Sequence, residues 1–460
     1  MQRMNDPATF RLNGREVSLE GAEPTESLLR WLKRQRLTGT KEGCADGDCG
    51  ACTVALVAAN ENGTARFEAI NSCLVPIGQM PGREIVTVEA LADGETLHPV
   101  QQAMVDCAGS QCGYCTPGFV MSLFAAYYTH ALDDGATEGN LCRCTGYRPI
   151  REATALLEAA PLASDRFRDA LAMPHAAPES ASLGTFFNPA TVADALALKA
   201  QHPEAVWVTG ATDLGVALSH GRRVAPAFIA LDRVAELHVL EVRDDAVRIG
   251  ASVPLSTIES QLAGVFPALD QMLPWFAARQ VRNRSTFGGN LGTASPIGDL
   301  LPVLLAYDAT VELRGPGGIR SVVVDHYFLD YRKTARADDE LIVAVSIPRR
   351  PATVSASYKV AKRQSDDISI VAASYALALD DERRVAHVRL AYGGVAATPR
   401  RATSTEAFLA GKRLASDVVD AARTMLEREF APIDDHRAGA AYRRALAGSL
   451  FAKFVAEHAR

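Results

Sequence analysis

The sequence has no uncharged apolar run approaching the roughly eighteen residues that a bilayer span requires. Its start, Met1-Gln2-Arg3-Met4-Asn5-Asp6-Pro7, has no apolar stretch of the secretory kind. No membrane association is expected, and the expected location is cytoplasmic. An excess of basic charge is also missing: 48 Lys and Arg stand against 54 Asp and Glu, a net charge of −6. Both signs are spread along the chain, which gives no support for nucleic-acid binding. No G-x-G-x-x-G and no G-x-x-x-x-G-K-[ST] occurs, so neither a Rossmann nor a P-loop nucleotide site is supported.

What is present is length, apolar content and cysteine. With 460 residues, 48% of them apolar, the chain can fill more than one core, and its length suggests about three domains. There are nine cysteines, and a reducing compartment suits metal ligation better than disulfides. Eight of them form two sets. The ninth, Cys107, reads as a small buried apolar residue on a helix.

The first set, Cys44, Cys49, Cys52 and Cys73, reads C-x4-C-x2-C with a fourth cysteine after twenty intervening residues. That is the plant-type ferredoxin spacing for a [2Fe–2S] centre. Structural zinc also takes four cysteines, but usually as paired C-x2-C knuckles. Glycines at 43, 47 and 50 suit a short loop wrapped closely round a cluster, whose free N–H groups can donate to sulfur. The second set, Cys112, Cys115, Cys142 and Cys144, reads C-x2-C, then twenty-six residues, then C-x-C. Each pair precedes a helix signal, Thr116-Pro117 in one case and Pro149 in the other. Helix starts favour thiolates and a cluster that gains negative charge. Zinc rivals iron more strongly for this set taken alone.

The words around these cysteines decide between them. Gly109 to Gly118 (GSQCGYCTPG) and Gly139 to Pro149 (GNLCRCTGYRP) closely resemble the second iron–sulfur domain of the molybdenum hydroxylases, the xanthine dehydrogenase family. Before them, Phe10 and Leu12 alternate up to Asn13-Gly14, and Val17 and Leu19 alternate after it, a hairpin signal. Thr25 is expected to cap a helix bearing Leu28, Leu29, Trp31 and Leu32, and strands are expected at Thr53 to Val57 and Ile85 to Val88. Helices are expected at 98–107, 117–131 and 149–160, with a short turn near 138 and His98 as a hydrogen-bonded cap. The composition then shifts to Ala, Pro, Ser and His through Met173-Pro174-His175, a linker whose Asp165 to Ala172 has helical character.

Two glycine-rich segments follow. The strand Ala205 to Val208 runs into Thr209-Gly210-Ala211-Thr212-Asp213-Leu214, where backbone N–H groups can face a pyrophosphate. Downstream lie Trp275-Phe276 and Thr286-Phe287-Gly288-Gly289-Asn290. Two such loops could clamp one extended dinucleotide without a Rossmann fold. With Asp330 to Thr334 and Ser357 to Lys359, they resemble the vanillyl-alcohol-oxidase-like FAD domain of the same family. The last stretch mixes strands at Ser369 to Leu379 and Val388 to Tyr392 with helices at Thr403 to Leu409 and Val418 to Glu429.

The resemblance implies a multidomain α+β chain. Its expected parts are a β-grasp [2Fe–2S] ferredoxin-like domain at 8–90, an all-α four-helix [2Fe–2S] domain at 91–161 and a linker at 162–183. An α+β, PCMH-type FAD domain at 184–350 and an α+β lobe of the CO dehydrogenase flavoprotein type at 351–460 complete it. The family further implies FAD contacts from Trp207, Val208, Thr209, Gly210, Ala211, Thr212, Asp213 and Leu214, and from Thr286, Phe287, Gly288, Gly289 and Asn290. Phe276 would lie against the isoalloxazine, Asp299, Ile342 and Lys359 would add contacts, and Tyr331 and Asp366 would lie near the nicotinamide entry. Ala211 stands where many relatives have glycine, so the approach to phosphate there is expected to be looser. No substrate-hydroxylating residues are expected on this chain. That chemistry would belong to a molybdopterin (molybdenum cofactor) on a large partner subunit, in a heterotetramer of two small and two large chains. Electrons would enter beside Gln111 and Cys144, pass through the second cluster, the first cluster and FAD, and leave on NAD+. Xanthine or hypoxanthine is the leading expected substrate. The alternatives are an aldehyde or another N-heterocycle, or O2 as acceptor, or a stand-alone flavin and iron–sulfur reductase.

Overall fold

The computed structural model describes residues 8–60, 63–129, 131–174, 181–222, 225–350, 354–363 and 366–459. The chain divides into two compact units, Met1–Val234 with Ala278–Ser285, and Ala235–Ala277 with Thr286–Arg460.

The first unit begins with the hairpin. Strands Thr9–Leu12 and Arg15–Ser18 pair antiparallel, and Asn13 (φ 55) and Gly14 (φ 77) take the left-handed conformation of a type I′ turn. A five-stranded mixed sheet results when Glu84–Val86 pairs parallel to the first strand and antiparallel to Thr53–Ala59, which in turn pairs with Ala65–Asn71. Helix Leu28–Arg34 covers it, burying Leu28, Trp31 and Leu32 against Phe10, Val54 and Ile85, and Leu29 against Cys52, Cys73 and Leu74. Burying each such side chain contributes about 1.5–3 kcal/mol. Its cap is Ser27, whose hydroxyl accepts from the Arg30 N–H at 3.3 Å, whereas the expected Thr25 bonds to Glu23.

The following helices, Pro99–Asp106, Thr116–Tyr127, Arg148–Ala159 and Arg166–Ala172, form an all-helical domain. Every residue from Gly118 to Tyr127 is buried, so this helix is the domain's core rather than one of its faces. Cys107, half-buried at the end of the first of these helices, packs against the same core. The start of the flavin region adds a three-stranded parallel sheet of Phe186–Phe187, Phe228–Ala230 and Val206–Val208, with helices Val192–Gln201 and Leu214–Ser219.

In the second unit, five antiparallel strands run in the order Gly318–Val323, Thr310–Gly315, Leu341–Pro348, Ala246–Gly250, Leu240–Val242. A four-stranded sheet of Val354–Val360, Val371–Leu379, Val385–Gly393 and Arg400–Arg401 carries helices Thr403–Leu409, Ser416–Glu429 and Ala440–His458. The last helix escaped the sequence reading. It buries a broad face that includes Ala447, Phe451 and Phe454, but also the guanidinium of Arg443, held by Asp435 at 2.8 Å. No described helix is long and apolar enough to cross a membrane.

His98 caps its helix as expected. Its Nδ1 accepts from the Val100 N–H at 3.2 Å, and its Nε2 lies 2.8 Å from the Tyr128 hydroxyl. Burial lowers its pKa to about 4, against the opposing pull of Asp165. Burial, with Arg389 and Arg350, lowers His387 to about 4 as well. The unfolded chain therefore binds more protons than the folded one between about pH 6.5 and 4. Stability should be full above that window and fall through it by at most about 1.4 kcal/mol per pH unit and per histidine. Denaturant midpoints measured across this range should show a shallower slope for His98→Gln, with the His387 share remaining.

Candidate cluster and flavin sites

The loop from Thr40 to Cys52 turns back through Ala45 (φ 61), Gly47 (φ 89) and Gly50 (φ 64). This curvature aims amides at sulfur: the Asp46 N–H donates to Cys44 Sγ at 3.4 Å, and the amides of Ala51 and Gly47 serve Cys49 and Cys73. The thiols meet in pairs. A hydrogen bond from Cys49 pulls Cys44 down to about 5, and the same bond pushes Cys49 up. Cys73 likewise lowers Cys52 and is itself raised well above the usual thiol range. The charge of Cys44 also acts on Cys52 and Cys73, so the four sulfurs share one electrostatic environment.

In the second set Cys112 pairs with Cys144 and Cys115 with Cys142. The Tyr114 amide, then Cys144, lowers Cys112, while that thiol bond raises Cys144. Burial, then Cys142, raises Cys115 to about 12. Burial opposes ionisation of Cys142, but Thr145 outweighs it with a hydroxyl at 3.1 Å and an amide at 3.4 Å. Cys115 directly precedes helix Thr116–Tyr127, and Tyr147 (φ 68) turns the chain into Arg148–Ala159. Cys112 and Cys144 are exposed and Cys142 is buried.

Among the described residues, no three or more His, Cys, Asp or Glu side chains are placed to hold a metal ion. The thiols meet two by two, and a two-iron cluster held by four cysteines takes two at each iron. Thiolate donors with amides aimed at them fit such an anionic group.

The loops of the two sets touch. The Leu141 N–H donates to the Cys49 carbonyl at 3.0 Å, and Asn140 Nδ2 donates to the Gly50 carbonyl at 3.0 Å. Missing side chains permit this approach: a Cβ on Gly50 would fall 2.2 Å from the Gly139 carbonyl oxygen, and one on Gly118 would fall 2.2 Å from that of Gly50.

Of the flavin segments, Trp207 to Leu214 lies in the first unit. It leaves the strand Val206–Val208 and enters the helix Leu214–Ser219, and between them the amides of Gly210, Ala211, Thr212 and Asp213 bond to no other described residue. The buried Trp207 Nε1–H has no protein partner either, so this turn has donors to offer a ligand. A Cβ on Gly210 would lie 1.8 Å from the Arg284 carbonyl oxygen. Ala211 has φ 61, the left-handed conformation that glycine adopts without strain.

Behind the turn lies a charge cluster that the sequence did not reveal. Asp232 Oδ2 accepts from Arg83 at 2.7 Å and from Arg284 at 3.2 Å. Arg233 donates to the carbonyls of Gln79 and Pro81, while Gln79 itself donates to the Thr209 carbonyl at 2.8 Å. Burial works against ionisation of Asp232, yet the arginines hold its carboxyl below the usual range. Burial, with Arg83, lowers Arg233 to about 10. Three guanidiniums around one carboxylate leave positive potential near the turn, which suits an anion.

The other segment belongs to the second unit. Thr286 caps helix Phe287–Thr293, accepting from Gly289 N–H at 2.9 Å. The Gly288 amide goes to the Ala251 carbonyl and the Asn290 amide to that of Thr286. These three amides are therefore already used, and what the segment offers is the buried Oδ1 of Asn290, which has no protein partner. Asp299 and Lys359 come together at 2.8 Å, with Ser369 on the other carboxylate oxygen at 2.5 Å and the Trp275 carbonyl on the ammonium at 2.7 Å. Phe276 packs partly buried against the core in which Ile342 is buried. Tyr331 is exposed, and Asp366 is buried.

Comparison with known proteins places these sites in a family. Residues 10–78 match the 2Fe-2S iron-sulfur cluster binding domain and 87–155 the [2Fe-2S] binding domain. Residues 180–350 match the FAD binding domain in molybdopterin dehydrogenase, and 356–458 the CO dehydrogenase flavoprotein C-terminal domain. Xanthine dehydrogenase of Emericella nidulans is 32% identical, the match covering 98% of this chain and 39% of that protein. For rat xanthine dehydrogenase/oxidase the figures are 31%, 98% and 39%. The chain thus spans about two-fifths of the length of these relatives. Among solved structures, carbon monoxide dehydrogenase of Hydrogenophaga pseudoflava, lacking its Mo-pyranopterin moiety, matches with TM-score 0.56 and 28% identity. That match covers 58% of this chain and 94% of that one. Quinoline 2-oxidoreductase of Pseudomonas putida shares the fold with TM-score 0.56 at 23% identity, over 61% and 98% of the two chains. With two [2Fe–2S] domains, a flavin domain and its C-terminal lobe in this order, the chain belongs to the molybdenum hydroxylase family, as its iron–sulfur and FAD-bearing part.

Proposed function

We propose that this chain is the electron-transfer subunit of a xanthine dehydrogenase, serving xanthine or hypoxanthine hydroxylation at a molybdenum cofactor on a large partner subunit and delivering electrons to NAD+. When bound, the two clusters carry single electrons and FAD collects two for release as hydride. Cys44, Cys49, Cys52 and Cys73 would hold one cluster, and Cys112, Cys115, Cys142 and Cys144 the other. The amides of Gly210 to Asp213 would hold the flavin's pyrophosphate, backed by Arg83, Arg233 and Arg284.

The observation that carries the reading is the match of nearly the whole chain to xanthine dehydrogenases, with both cluster domains and the flavin domain in one polypeptide. Exposure of Cys112 and Cys144 supports a partner at the second set. So do the exposed apolar side chains of Tyr114, Leu141 and Tyr147 on the same loops, since buried interface cores are apolar and aromatic.

The first test is an anaerobic assay of the complex from its native cells with xanthine and NAD+. NADH formation with a large molybdenum-bearing chain present is expected. No turnover with xanthine, but flavin bleached by added NADH, would reject the substrate and keep the electron-transfer role. In Cys144→Ser, substrate should no longer bleach the flavin while NADH still does; loss of both would sink the assigned order. Purified Gly210→Ala should hold well under half of wild-type FAD, because its Cβ meets backbone. Ala211→Gly should keep full FAD, with a change in stability of no more than about 1 kcal/mol, since relief of left-handed strain is offset by glycine's freedom when unfolded.

A further inference from the structure

We infer that Gln280 is a positioning residue for electron exchange between the two thiol sets, fixing the backbone hydrogen bond that joins their loops. This rests on the reading that both sets carry [2Fe–2S] clusters. With both clusters bound, Cys112, Cys115, Cys142 and Cys144 would hold the donor and Cys44, Cys49, Cys52 and Cys73 the acceptor of a single electron, with no proton moved and no bond broken. The Leu141 N–H to Cys49 carbonyl bond, at 3.0 Å, gives this exchange a short bonded route. Leu141 adjoins Cys142 in sequence, so only a few covalent bonds and one hydrogen bond separate a ligand of one set from a ligand of the other. Tunnelling favours such a route over a gap of empty space.

In the chain without its proposed partner Leu141 is 42% exposed, and a hydrogen bond at such a surface frays unless something fixes it from behind. Asn140, 2% exposed, does so. Its Nδ2 donates to the Gly50 carbonyl at 3.0 Å, and its Oδ1 accepts from Ser122 Oγ at 2.7 Å and from Gln280 Nε2 at 3.1 Å. Gln280 Nε2 also donates to Ser122 Oγ at 3.0 Å, closing the network. Gln280 is 1% exposed, and its Oε1 is buried with no hydrogen-bond partner. That oxygen faces Gly139, where an added Cβ would fall 2.2 Å from it. A buried unpaired carbonyl is a cost that a leucine of similar size would avoid. What the glutamine offers in return is its pair of donors, one aimed at Asn140 itself and the other at Ser122, which also holds Asn140. The segment carrying it, Ala278–Ser285, packs into the first unit, although in sequence it lies between the flavin-segment residues Phe276 and Thr286.

The test uses the full chain, purified with its clusters and flavin, as wild type, Gln280→Leu and Ser122→Ala. Iron and acid-labile sulfide are measured, then the spin–spin splitting between the fully reduced clusters at low temperature, then electron equilibration between them after a pulsed one-electron reduction. In Gln280→Leu, iron and sulfide should match wild type while the splitting narrows and equilibration slows several-fold. Ser122→Ala, which leaves the Gln280 to Asn140 bond in place, should show a smaller slowing in the same direction. Wild-type splitting and rate in both variants would overturn the inference. If Gln280→Leu loses iron, Ser122→Ala decides it by the same two readouts. A wild-type chain without two [2Fe–2S] signals would instead overturn the cofactor reading beneath it.

Discussion

The hydrogen bond from the Leu141 amide to the Cys49 carbonyl joins the loops of the two cysteine sets, and the packing around them is arranged to permit it. It requires two cysteine loops from different domains to meet backbone to backbone. Side chains would prevent that, and the sequence removes them at Gly50, Gly118 and Gly139. Close approach buries polar groups, and each one left unpaired would cost about 1–3 kcal/mol. The Ser122, Asn140 and Gln280 donors satisfy the Asn140 Oδ1 and the Gly50 carbonyl at this contact and leave the Gln280 Oε1 unpaired.

The thiol loops and the turn at Gly210 to Asp213 use one physical device in two strengths. Around the cysteines, single amides from tight loops lean the thiols toward their anionic form. At the turn, a run of unused amides stands before a buried surplus of guanidinium charge. The stronger version suits a ligand that arrives already charged. The weaker version suits sulfur, whose charge the iron shares.

Legibility from sequence followed the range of the interaction. Asn13-Gly14 announced its turn because the turn is made by those two residues alone. The cysteine spacings were readable because the loops that aim amides at sulfur are local. Even locally, two hydroxyls near a helix start compete, and Ser27 won the cap from Thr25 because it stands where the Arg30 amide points. Helix Ala440–His458 was missed because its buried face includes Arg443, whose partner Asp435 lies on the preceding loop. The arginines around Asp232 and the Gln280 network were invisible, since Arg83 and Arg284 are two hundred positions apart and nothing in either segment marks the other. Of the expected flavin contacts, Asp299 and Lys359 meet each other, a pairing that spacing could not suggest.

The first unit is discontinuous in sequence, since it comprises Met1–Val234 and then Ala278–Ser285. During synthesis the N-terminal part of a chain emerges first and domains tend to fold as they appear. All eight paired cysteines are therefore available well before the segment that locks their loops together has been made. Until residue 285 has emerged, the Asn140 side chain lacks one of its donors and the junction between the loops stays looser than in the finished protein. The side chain that fixes the contact between the two cysteine loops is thus supplied by a segment made well after the loops themselves. Eight residues, Ala278–Ser285, therefore tie the packing of the cysteine loops to a part of the chain far from them in sequence.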